Sequence, residues 1–147
     1  MLRRTFLQGL ALSAAVLATP ALAQDARPLA LKGYDPVAYF TDGKPTLGAA
    51  EYEMAFDGQR YRFASAQHRD LFKANPDKYA PQFGGNCANN MANGQRRESD
   101  PTVWVIIGDK LYVFAGTAGA ERFRQDSQSA ALKAAANWKT LKNTPSQ

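Results

Sequence analysis

His68, Cys87 and Met91 are the side chains through which this sequence could hold a soft ligand; the histidine and the cysteine are each the only one of their kind. Imidazole, thiolate and thioether together form an N/S donor set that selects copper over magnesium or calcium. His68 and Cys87 would make a two-point site, and Met91, four residues past the cysteine, would add the thioether. Each residue also has a plain structural role open to it. His68 can be a partly buried imidazole satisfied by backbone groups, and Cys87 a small hydrophobe in the core. The same two groups would serve a thiol enzyme with His68 as base. That chemistry needs them within about 3 Å, with a third group to orient the ring. No catalytic set is assigned, and no phosphate-binding loop or dinucleotide fingerprint appears. Gly84-Gly85, just before Cys87, is a loop without bulk where a ligand could approach the backbone.

Something must position these groups, and the composition limits what that is. The chain has 147 residues, 45% hydrophobic and 21% charged, with a formal net charge of +5. These are ordinary globular values for one domain. One cysteine cannot form an internal disulfide, and one Cys with one His cannot close a four-ligand zinc site. The start, Met1-Leu2-Arg3-Arg4-Thr5-Phe6-Leu7, leads into an apolar run and then Pro20-Ala21-Leu22-Ala23. That pattern predicts a cleaved export signal over residues 1–23, of the twin-arginine type. Removing 23 of the 147 residues leaves 124, and loss of Arg3 and Arg4 lowers the net charge from +5 to +3. Charges such as Arg96-Arg97 beside Glu98 and Asp100 are mixed, which argues against nucleic acid as a partner. The expected location is the periplasm, with a soluble mature chain that does not insert into the membrane.

The pattern of the mature chain predicts a small α+β domain over residues 24–147, with no internal repeat. Residues 24–33 read as an extended leader. Gly33-Tyr34-Asp35-Pro36-Val37-Ala38-Tyr39-Phe40 reads as a turn feeding a short strand, with Asp35 as turn chemistry. Tyr52, Met54, Phe56, Tyr61 and Phe63 alternate with polar residues around Asp57-Gly58, a strong hairpin signal. Ser65 and Asn75-Pro76 mark two helix starts. A loop follows through 84–94. A second hairpin turns at Gly108-Asp109, its first strand apolar enough to be central and buried on both faces. Short helices cover an antiparallel sheet built from the two hairpins. A C-terminal amphipathic helix closes the chain, with Ala131, Ala135, Trp138 and Leu141 on one stripe.

Several of these segments resemble the secreted bacterial YHS-domain proteins. They include Gly33-Tyr34-Asp35-Pro36-Val37, Tyr61-Arg62-Phe63-Ala64-Ser65, Asp70-Leu71-Phe72-Lys73, Asn75-Pro76-Asp77-Lys78-Tyr79, Cys87-Ala88 and Asn137-Trp138. The resemblance runs over nearly all the mature chain. In that group the metal-binding modules carry one cysteine shortly after Asp-Pro-Val and two in a Phe-Cys-Ser-x-x-Cys stretch. The matching positions here are Ala38, Ala64 and His68. The resemblance implies an exported accessory protein without catalysis, binding a metal ion such as copper, or a small ligand, near His68 and Cys87. An alternative is a module that docks another exported protein, with His68 and Cys87 structural; a thiol-dependent enzyme is the third.

Overall fold

Asp57 and Gly58 both take positive φ, 47° and 76°, the mirror-image turn whose twist suits two antiparallel strands. Around it β1 (Ala49–Phe56) pairs with β2 (Gln59–Phe63). Gly108 and Asp109, both with φ of 58°, do the same for β3 (Asp100–Ile107) and β4 (Lys110–Phe114). In this computed structural model residues 23–147 are described; the export segment assigned to 1–23 lies, but for its last residue, outside them. Among the described residues no helix is long and apolar enough to cross a membrane.

The expected α+β architecture stands, with several elements corrected. The two hairpins are separate two-stranded sheets, so β3 is an edge strand and not a central one. The leader is not simply extended: Ala30–Gly33 forms a 3-10 turn that buries Ala30 and Leu31. The strand expected over 37–40 is a short helix, α1 (Ala38–Thr41). Asp35 Oδ1 accepts from the N–H groups of Val37 (2.8 Å) and Ala38 (3.3 Å), which starts a helix where a short strand was expected. Ser65 caps α2 (Ala66–Ala74) through His68 N, and Asn75 caps α3 (Pro76–Tyr79), both as expected. The loop expected through 84–94 contains α4 (Ala88–Ala92) after a 3-10 turn at Gln82–Gly85. Helices α5 (Thr117–Gln125) and α6 (Ser127–Leu141) close the chain. On α6 buried Ala134 and half-buried Ala130, Ala131, Trp138 and Leu141 face the core, while Ala135 is exposed.

The architecture also contains a repeat that the sequence did not reveal. A 3-10 turn, a short helix, a hairpin and two helices occur in that order twice, about 51 residues apart. Both hairpins have strands of 8 and 5 residues with a bulge at the same place, and each is followed by a 9-residue helix. Both 3-10 turns carry two successive left-handed residues, Leu31-Lys32 and Phe83-Gly84. Both final helices start from a residue of the same unusual conformation, Asn75 and Asp126. The two units pack alike. Phe72 lies 4.9 Å from Tyr61 and 5.2 Å from Phe63, and Phe123 lies 5.0 Å from Tyr112 and 5.3 Å from Phe114. Each unit thus has its own aromatic core. A third cluster, with Leu31 and Tyr39 from one unit and Leu111 and Val113 from the other, joins them. Outside the aromatics few residue types coincide, because hydrocarbon packing constrains size and position more than identity.

Candidate functional site

Asp35 is fully buried, and all its hydrogen-bonding capacity is directed at the first unit. Besides the two N–H groups that open α1, its Oδ2 accepts from Ala64 N (2.8 Å) and lies 2.6 Å from His68 Nδ1. One carboxylate therefore ties together the start of α1, the end of β2 and the first turn of α2. Because Oδ2 acts as acceptor, Nδ1 of His68 is the donor and Nε2 is the ring atom left for another partner. Nε2 is 3.3 Å from Thr41 Oγ1 and 3.9 Å from Asp42 Oδ1, at the end of α1. The His68 side chain is 14% exposed and that of Asp42 38%, so the outer edge of the ring reaches solvent. Tyr39, also on α1, donates its hydroxyl to Pro101 O (2.7 Å) across the junction of the units. Burial pushes that phenol well above its ordinary range.

His68 therefore belongs to a hydrogen-bonded cluster with Asp35, Thr41 and Asp42, while the partners expected for it are elsewhere. Cys87 (1% exposed) and Met91 (0%) sit in the aromatic core of the second unit, with Phe83, Tyr112 and Phe123. Cys87 donates its N–H to Arg97 O and bridges Val113. The repeat explains this placement. Tyr34 and Asn86 are the extended residues that end the two 3-10 turns, and Asp35 and Cys87 are the next in line. Cys87 occupies in the second unit the buried place that Asp35 holds in the first. The Cβ side of the glycine pair is closed off by core side chains. A Cβ on Gly84 would lie 3.2 Å from the Trp138 ring, and one on Gly85 3.3 Å from Leu31. Both have positive φ and let core side chains close in.

The metal-binding pattern of cysteine-bearing YHS modules does not fit this chain. Ala38 N, Ala64 N and His68 Nδ1, from the three matching positions, converge on Asp35, and two of those side chains are methyl groups. Among the described residues no group of three His, Cys, Asp or Glu side chains is arranged to hold a metal ion. What does fit is a smaller donor set, the imidazole Nε2 and the Asp42 carboxylate. Sequence reasoning missed Asp35 and Asp42, since nothing local shows that a turn aspartate reaches a histidine 33 residues away. The one available signal was Asp35-Pro36 ahead of apolar residues, which also reads as a helix start.

No curated protein and no solved structure matches the chain. A model of the YHS domain family matches residues 37–83, which take in Asp42 and His68 and stop short of Cys87 and Met91. The matched segment, with α1, the first hairpin, α2 and α3 in place around that histidine, is a YHS domain.

Proposed function

We propose that this chain is an exported, periplasmic accessory protein that works by binding, without catalysis. Its YHS domain takes a metal ion of the copper or zinc class at His68 Nε2, with Asp42 as second donor. The observation that carries this reading is the buried Asp35 against Nδ1. Metal-binding histidines characteristically give their other ring N–H to a carboxylate, which fixes the tautomer and aims the free nitrogen. Nε2 and Asp42 Oδ1 are 3.9 Å apart, and a shift of the exposed Asp42 carboxylate to about 3.3 Å would let both sit about 2 Å from one tetrahedral cation. Cys87 and Met91 take no part in this site, because both are sealed in hydrocarbon. Two protein donors make an exchangeable site, completed by water or by a partner's ligand.

Export is supported by Arg3-Arg4 ahead of the apolar run. Replacing both with lysine should hold the precursor in the cytoplasm, read by cell fractionation. The docking alternative calls for a contiguous apolar patch. Among the described residues the exposed large apolar side chains are Leu47 and Leu132, one before β1 and one on α6, which is little support.

The metal reading is tested by calorimetric titration of the mature chain with Cu(II) and Zn(II). One equivalent should bind with Kd of about 1–100 μM. His68→Ala should abolish binding and Asp42→Asn weaken it about tenfold, or about 1.4 kcal/mol. Cys87→Ala and Met91→Leu should leave it unchanged. Absence of saturable binding, or full binding by His68→Ala, overturns the reading.

A further inference from the structure

Arg96 is a half-buried cation that its sequence neighbours leave uncompensated. Glu98 pairs instead with Lys32 at 3.8 Å, and Asp100 accepts from the N–H and hydroxyl of Thr102. Every acceptor on the Arg96 guanidinium is neutral. Nε donates to Asn86 Oδ1 (3.4 Å), and Nη1 to the carbonyls of Lys142 (3.0 Å) and Thr144. Nη2 has no partner among the described residues, and no buried side-chain nitrogen lacks one, so Nη2 reaches solvent. The guanidinium carbon lies 5.6 Å from the Trp138 ring centre, a cation–π contact.

That fork lines a cleft of about 250 Å³ at the junction of the two units. The first unit contributes its 3-10 turn at Leu31-Lys32, the second its counterpart at Gly84-Gly85, and Pro28 and Leu29 form an apolar wall. Junctions of this kind are where ligand sites preferentially form. The carbonyls on the floor are already engaged: Gly84 O accepts from Gln59 Nε2, and Gly85 O from Ser99 Oγ. With Lys32 and Glu98 neutralising each other, the cleft offers one net positive charge beside hydrocarbon.

We propose that this cleft is a binding site for a small organic monocarboxylate. Its carboxylate lies on the outer edge of Arg96, and its hydrocarbon part lies against Pro28, Leu29 and Leu31. The site is independent of His68 and does not rest on metal binding. Nη2 supplies the free N–H donors and the guanidinium the positive charge that a carboxylate needs, and the cleft volume limits the remainder to a short chain or a single ring.

The test is an NMR titration of the ¹⁵N-labelled mature chain, following the Arg96 Nε–H and Trp138 indole N–H signals. The probes are butyrate, its neutral counterpart butyramide, and inorganic phosphate. Butyrate should shift both signals to saturation with Kd of roughly 1–10 mM, and butyramide should respond at least tenfold more weakly. Arg96→Gln should remove the response. Because Arg96 also holds the C-terminal segment, a second variant keeps that contact: Leu29→Glu puts a competing carboxylate at the wall and should abolish butyrate binding with Arg96 intact. Shifts that stay linear to about 100 mM, or that butyramide matches, overturn the proposal. So does a butyrate response that survives in Leu29→Glu. A stronger response to phosphate overturns the carboxylate assignment.

Discussion

Replacing Asp35 with alanine should be among the most damaging single changes in this protein. Four donors lose their acceptor: the N–H groups of Val37, Ala38 and Ala64, and His68 Nδ1. They are not equivalent. Val37 and Ala38 are both 0% exposed, so water cannot replace the carboxylate there. A buried orphaned donor costs about 1–3 kcal/mol, so the pair amounts to about 2–6 kcal/mol. Ala64 is exposed and the imidazole partly so, and water restores most of those two bonds. Removing a carboxylate from a dry site gives some of the loss back, which leaves about 3–4 kcal/mol. Asp35→Asn keeps one oxygen for the start of α1 but turns an amide NH₂ toward the Ala64 N–H. Its cost should be about 1–2 kcal/mol, similar to that of His68→Ala, which removes one bond of the four. Urea unfolding of the mature chain reads these differences. With a slope of about 1.5 kcal/mol/M, the alanine variant should lower the midpoint by about 2–2.7 M and the other two by about 1 M. An alanine variant within about 0.5 M of the parent would refute the assignment of Asp35 as the tie between α1, β2 and α2.

Two further outcomes follow from the side chains around this frame. Glu53 takes a hydrogen bond from Arg62 (2.6 Å) and others from Arg60, and chiefly the Arg62 bond holds its carboxyl below the usual range. A depressed folded-state pKa means stability fully present above the ordinary glutamate range and lost as pH falls through the lowered value. Glu53→Gln should flatten that acid limb of the unfolding curve, by up to about 1 kcal/mol at low salt because the cluster is partly solvated. Cys87, sealed in the second core, should resist a thiol reagent such as DTNB in the native protein and react fully in urea. Cys87→Ser should cost about 1–3 kcal/mol by placing a hydroxyl among aromatic rings. Rapid native labelling would reopen thiol chemistry at this residue.

Elements governed by neighbours in sequence were legible. The two positive-φ turns, the Ser65 and Asn75-Pro76 helix starts and the alternation of Tyr61 and Phe63 are decided within a few residues. Where two local readings competed, sequence alone chose wrongly. Val37 to Phe40 suits a strand by composition but is helical because Asp35 caps it, and β3 looks central by its apolar run yet has one strand partner. The repeat was illegible because its two halves share geometry at Leu31-Lys32 and Phe83-Gly84 without sharing residue types.

By itself the sequence determined the inventory: one imidazole, one thiol, an export signal pattern, YHS-like segments and an α+β fold class. Only the tertiary structure decided which of those groups meet. His68 met a buried aspartate 33 residues away, and Cys87 went into the core of the second unit. The physical reason is that a titratable or soft side chain acquires its role from desolvation and from partners across the chain. Neither is encoded at the residue's own position; both arise only when the two units close around their shared core.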